Sequence, residues 1–200
     1  MKIAGIYLAA GNSRRMGPGI NKLYLPLQGK PLGNIALQAA FSSRLSHIIV
    51  VTNDPTWILK RMCRENVYIL SCPNADKGQS YSLQCGVKMA KKINVDAVVV
   101  LLADQPFVTA EFINKIIDCY EQNKNIHFVA ASYRGVKQPP VLFTKKVFPF
   151  FKALKGDEGA RAIFMKPTIN GISLLSQNDK IFFDIDTWEK YQQVKQKYAD

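Results

Sequence analysis

Residues 11 to 22 read GNSRRMGPGINK: three glycines, two arginines and a lysine, with no acid among them. Backbone N–H groups in a glycine-rich segment can turn toward one anion, because glycine permits close approach and dihedrals closed to other residues. The run VVVLLAD (98–104) ends in Asp104, a lone carboxylate closing the most apolar stretch of the chain and followed by Pro106. One or two carboxylates together with phosphates make the usual shell of Mg²⁺. Gly78, Gln79, Ser80 and Ser82 stand where a loop opens into a helical pattern, and a helix N-terminus receives anions. Cationic loop, carboxylate and helix start together suit phosphoryl-type chemistry, which needs positioning and charge neutralisation.

Two common phosphate loops do not fit. The dinucleotide fingerprint GxGxxG needs closely spaced glycines and an immediate helix, whereas Gly11 and Gly17 are too far apart and Pro18 and Pro26 interrupt. A Walker A loop needs GxxxxGK[ST], but Lys22 follows Asn21, and Leu23 stands where the hydroxyl belongs. The chain is neither a standard dehydrogenase nor a P-loop NTPase.

The elements that must position these residues follow from hydropathy. Continuous apolar, β-rich runs at 3–9, 47–53, 67–71, 96–103 and 127–133 predict strands buried on both faces, as in a parallel sheet. Helical patterns lie between them at 31–43, 55–65, 79–92 and 109–123, with Pro55 suited to a first turn and Thr109 to a helix start. Alternation of strand and helix predicts an α/β fold: a Rossmann-like, doubly wound, mostly parallel sheet with helices on both faces. Ligands then bind beyond the carboxyl ends of the strands, where the 11–22 loop sits. The last third predicts a strand and helix in PPVLFTKKVFPFFKAL, a short helix in GDEGARAIF, strands in ISLLS and KIFFDI, and a closing helix from Thr187. No repeat or Pro/Gly/Ser-rich linker interrupts 1–200, which reads as a single domain.

Composition narrows the partners. The chain has 200 residues, 27 basic against 15 acidic, for a net charge of +12. The first acid is Asp54, so the N-terminal quarter is a field of one sign that favours anions. Basic residues come singly or in pairs, which argues against nucleic acid as the partner. Cys63, Cys72, Cys85 and Cys119 show no metal-ligand spacing and read as small hydrophobes of a reducing, cytoplasmic setting. His47 and His127 open apolar runs and read as strand-edge residues. The opening MKIAGIYLAAG is too brief an apolar stretch for a leader, and no segment has the length of a membrane span.

The run LAAGxSxRMGxxxNKLxLPxxGKPL, from Leu8 to Leu32, resembles the N-terminal signature of the nucleotidyltransferases that mature molybdenum cofactor. GQSYSLQCG (78–86), LLADQPFV (101–108), LKGDEGAR (154–161) and FDIDT (183–187) resemble later motifs of that family in the expected order. Ala10 resembles the cytidylyltransferase branch, since the guanylyltransferase branch usually has glycine there.

The resemblance implies transfer of CMP from CTP to the terminal phosphate of molybdopterin, with pyrophosphate released and Mg²⁺ as cofactor. Leu8, Ala9, Ala10, Gly11, Asn12, Ser13, Lys22, Gly78, Ser80 and Ser82 would bind the nucleotide. Arg15 and Lys22 would neutralise the leaving phosphates, and Arg15 rather than Arg14 matches the arginine before Met-Gly. Asp104 and Asp186 would hold the metal, with Asp184 a rival to Asp186 because a strand would place both on one face. Asp157 and Arg161, with Gly159 between them, would face the acceptor. A phosphate nucleophile is already ionised near neutral pH, so the lack of a candidate base is expected. A xanthine dehydrogenase-type apo-enzyme is the implied partner. Two departures fall on the acceptor side: Gln138-Pro139-Pro140 replaces the usual Gly-His-Pro, and Trp188-Glu189-Lys190 the usual Pro-Glu-Asp. They leave open a transferase acting on a sugar or alcohol phosphate, and a non-catalytic carrier of the cofactor.

Overall fold

A computed structural model describes every residue except Asn12, Pro18, Met165 and 198–200, and of Arg14 only the backbone. In chain order the strands are β1 (Ile3–Leu8), β2 (Pro26–Leu27), β3 (Lys30–Pro31), β4 (His47–Val51), β5 (Val67–Leu70), β6 (Ala97–Leu102), β7 (Phe128–Tyr133), β8 (Val136–Thr144) and β9 (Gly171–Leu175). The α-helices are α1 (Gly33–Phe41), α2 (Gln79–Lys92), α3 (Ala110–Gln122), α4 (Phe148–Phe151), α5 (Arg161–Phe164) and α6 (Trp188–Lys197).

Among the described residues one sheet holds seven strands in the order β5-β4-β1-β6-β8-β7-β9. Neighbours pair in parallel except β8, which runs antiparallel to both β6 and β7. The fold is α/β with a mostly parallel, mixed sheet. Alternation along each strand divides the core. Ile3, Tyr7, Val50, Val99 and Leu101 face α1 and α3, where Leu37, Ile113 and Ile116 meet them. Ala4, Ile6, Leu8, Val98 and Val100 face α2 and α4, meeting Leu83, Val87, Phe148 and Phe151. Each Val, Leu, Ile or Phe among them contributes about 1.5–3 kcal/mol by leaving water. The α2 layer lies so close that a Cβ on Gly86 would sit 2.5 Å from Ile6.

The chain passes from β1 to β4 on one side, then returns through β5 and α2 to β6 on the other. The carboxyl ends of β1 and β6 therefore flank the reversal of winding direction, where open α/β sheets bind ligands.

Two expected elements are absent. Residues 55–65 form no α-helix; only a 3₁₀ turn at Lys60–Met62 appears there. The reason is tertiary. Trp57 is buried against Gly33, and the Asn34 side chain takes the place of helical partners: its Nδ2 donates to the Trp57 carbonyl at 2.6 Å and its Oδ1 accepts from the Leu59 N–H at 3.1 Å. KIFFDI forms a 3₁₀ turn at Asp179–Phe182 rather than a strand, because Ile181 and Phe182 are buried together, not alternately, and Asn178 caps the turn. Thr109 caps α3 as expected, accepting from the Phe112 N–H at 3.2 Å. No helix among the described residues is long and apolar enough to cross a membrane.

Candidate active site

A cavity of about 630 Å³ opens between the ends of β1 and β6, the 11–22 loop, and the start of α2. Leu8, Ala9, Ala10, Gly11, Ser13, Arg15, Lys22, Gly78, Gln79, Ser82, Asp104 and Asp157, all singled out from the sequence, line it. Ser80, Arg161 and Asp186 do not, and Asn12 lies outside the described residues.

The loop is folded by its own polar groups. Ser13 takes a left-handed conformation at φ 47° and its carbonyl accepts from the Met16 N–H at 2.8 Å. That conformation costs a non-glycine residue roughly 1–2 kcal/mol. The Ser13 hydroxyl in turn accepts from the Lys22 N–H at 3.2 Å, closing the loop across nine residues. Met16 is buried with Leu27, Leu32, Ile185, Tyr191 and Val194, so the last helix braces the first loop. Tyr191 adds a hydrogen bond from its hydroxyl to the Pro26 carbonyl at 2.7 Å.

Lys22 Nζ meets Asp104 Oδ2 at 2.6 Å inside the cavity, with both side chains mostly shielded. The Ile185 N–H donates to the Asp104 carbonyl at 2.9 Å, which joins the segment carrying Asp186 to the end of β6. Arg15 reaches Asp186 Oδ2 at 2.5 Å, and Lys190 lies 2.7 Å from Asp186 Oδ1 and 3.3 Å from Asp184. Partial burial works to raise the pKa of Asp186, but Lys190 and Arg15 outweigh it and hold the carboxyl below its usual range. Burial likewise works against the Lys190 ammonium, yet Asp186 and Asp184 raise its pKa. Residues 183–187 form no strand, so Asp184 and Asp186 do not share an equivalent face; Asp186 alone of the two contacts Arg15.

The opposite wall is built on α2. Gly78 has φ 130°, and a Cβ there would lie 2.1 Å from the Gly156 carbonyl carbon. The crossing at 154–161 is thus pressed onto the helix start, and Ser80 locks it: its N–H and hydroxyl donate to the Gly156 carbonyl at 3.1 and 2.8 Å. Gln84 donates to the carbonyls of Phe151 and Leu154. Buried Ser80 therefore orients the crossing that carries Asp157 to the cavity, whereas Arg161 opens α5 exposed to solvent.

Sequence reasoning missed Ala75, Asp76 and Lys77, which reach the cavity from a 3₁₀ turn at Pro73–Lys77. Pro73 ahead of the GQS motif was the available signal. It also missed Lys190, which joins the Arg15 network from the first turn of α6. Arg15, Lys22 and Lys77 face Asp76, Asp104 and Asp157 around the cavity, so its charges balance before any ligand enters. No group of three or more possible metal ligands occurs among the described residues; a hard cation would depend on Asp104 and on a ligand's phosphates.

The chain is similar to known proteins over nearly its full length. It is 36% identical over 202 residues to purine catabolism protein PucB of Bacillus subtilis (strain 168), covering 96% of each. It is 29% identical over 130 residues to 2-C-methyl-D-erythritol 4-phosphate cytidylyltransferase of Bacteroides thetaiotaomicron, covering 63% of this chain and 58% of that one. The fold superposes with a TM-score of 0.70, at 16% identity, on molybdopterin-guanine dinucleotide biosynthesis protein A of Archaeoglobus fulgidus, covering 98% and 97% of the two chains. The model of the MobA-like NTP transferase domain matches residues 5–170, a span that includes the 11–22 loop, the start of α2, Asp104 and the 154–161 crossing. The chain belongs to the MobA-like NTP transferase family of nucleotidyltransferases.

Proposed function

We propose that residues 1–200 act as one cytoplasmic nucleotidyltransferase domain that transfers CMP from CTP to the terminal phosphate of molybdopterin. The observation that carries this reading is the Lys22–Asp104 pair, at 2.6 Å on the wall of the cavity at the strand ends. A triphosphate entering there takes the Lys22 ammonium and the Arg15 guanidinium as counter-charges, and Asp104 is released to face a hard cation. Asp104 suits that role, since its Oδ1 makes no ion pair among the described residues. Bound Mg²⁺ would supply charge neutralisation on the phosphates. Backbone N–H groups at Gly11 and Ser13 point the phosphates, while Gly78 and Ser82 border the nucleoside. Asp157, held by the α2 contacts, lies on the acceptor side, with Arg161 beyond it. No side chain has to remove a proton, because the attacking phosphate is already ionised.

The likeness to a purine catabolism protein supports a molybdenum hydroxylase such as a xanthine dehydrogenase-type apo-enzyme as the recipient of the product. The likeness to an enzyme named for an alcohol phosphate favours a second reading, in which the same nucleotide site serves such an acceptor. Pyrophosphate release, measured with each NTP and with molybdopterin or 2-C-methyl-D-erythritol 4-phosphate, separates the two. Turnover with CTP and molybdopterin is expected. Turnover only with the alcohol phosphate selects the second reading. Delivery of cofactor to the apo-enzyme without CTP would make the chain a carrier.

A further inference from the structure

We propose that the Lys190 ammonium stands in for a divalent cation at Asp186, so that of Asp104 and Asp186 only Asp104 takes up metal. Asp186 is then a positioning residue that aims Arg15. The inference rests on the functional reading above only for the ligand that enters the cavity.

The two carboxylates differ in what surrounds them. Both oxygens of Asp186 lie against cations: Oδ2 accepts from Arg15 at 2.5 Å, and buried Oδ1, which accepts no hydrogen bond, faces the Lys190 ammonium as an ion pair at 2.7 Å. Among the described residues Asp104 meets one cation, Lys22, through one oxygen. The cations differ in reach. Lys22 and Arg15 line the cavity and can transfer to a triphosphate; Lys190 does not line it. When a polyanion enters, Asp104 loses its partner while Asp186 keeps one.

Lys190 is fixed from several sides. It bridges Asp186 and Asp184, and its ammonium lies 5.6 Å from the centre of the Phe183 ring. Its N–H donates to the Thr187 hydroxyl at 3.3 Å, in the first turn of α6. A lysine in a helix's first turn opposes the helix dipole, so its helix does not account for its placement, whereas the two aspartates do. Arg15 and Lys190 together cancel the charge of Asp184 and Asp186, so the cluster offers a second divalent ion no net attraction. The same lysine falls where the sequence departs from the Pro-Glu-Asp that usually follows DIDT.

Mn²⁺ titration of the full chain, with free ion read by electron paramagnetic resonance, tests this with and without α,β-methylene-CTP. Asp186→Asn is expected to match the unmodified protein in ion count and affinity. Lys190→Met is expected to bind one additional Mn²⁺, roughly tenfold tighter than any second ion on the unmodified protein, the scale on which one adjacent charge alters a carboxylate's affinity for a cation. The double variant Lys190→Met/Asp186→Asn should lose that ion, and Lys190→Arg should behave as the unmodified protein. Loss of the unmodified protein's ion in Asp186→Asn overturns the proposal, as does an unchanged count in Lys190→Met with Lys190→Arg folded. If the analogue fails to bind at all, the functional reading falls, while the nucleotide-free titration still decides the role of Lys190.

Discussion

The 11–22 loop and the 154–161 crossing border one cavity and are held by different means. The loop is anchored by the buried Met16 and presents its cations through ion pairs, Lys22 to Asp104 and Arg15 to Asp186. The crossing is held by shape and backbone: Gly78 leaves no room beneath Gly156, and Ser80 and Gln84 bind its carbonyls. An ion pair can change partners when a ligand brings charge, whereas a glycine contact cannot. Charge should therefore act on the first wall and volume on the second.

The largest expected effect breaks the first wall. Lys22→Ala should lower kcat by about 10²–10³-fold, the cost of removing one group aimed at developing charge, with little change in the urea midpoint. Steady-state pyrophosphate release beside equilibrium unfolding checks both halves. On the second wall, Gly78→Ala combines a strained dihedral with a 2.1 Å overlap and should destabilise the fold by about 3 kcal/mol or more. A fully stable Gly78→Ala protein would remove the distinction between the walls. Ser80→Ala is milder. The Gly156 carbonyl keeps the Ser80 N–H, so about 1 kcal/mol of stability should go, with KM for the acceptor rising more than KM for CTP.

The smallest effect concerns Cys72, just beyond the end of β5. Burial, then the neighbouring Cys85 thiol, pushes the Cys72 thiol up to about 12 from 9.0. A raised folded value means stability that is full below the unfolded pKa and lost as pH rises toward the folded one. Cys72 should thus resist alkylation at mildly alkaline pH while exposed Cys63 reacts, and Cys72→Ser should lessen the alkaline loss of stability. Mass spectrometry of alkylated protein and melting curves across alkaline pH test this.

Much of this arrangement was legible in the sequence because its signals are local. The runs at 3–9 and 97–103 carry no charged residue, as burial on both faces requires, and they became β1 and β6 side by side. The glycine-rich loop and Asp104 could be placed from that alone. What escaped depended on distant partners. The 55–65 segment has a helical pattern, yet the Asn34 amide from another element satisfies backbone groups of Trp57 and Leu59 outside any α-helix. KIFFDI has strand composition, but the paired burial of Ile181 and Phe182 left Asp184 and Asp186 inequivalent. Lys190 stood out only as part of a departure on the acceptor side, since nothing near it in sequence reveals that Arg15 shares its carboxylate.

The anchoring of Met16 by Ile185, Tyr191 and Val194 has a consequence for biosynthesis. A ribosome-bound chain that has emerged as far as β9 carries the strands and α2, but its opening loop has only Leu27 and Leu32 of the buried cluster that seats Met16. The grip on a nucleotide proposed for this loop therefore arises late in synthesis, after the segment that follows β9 has cleared the exit tunnel.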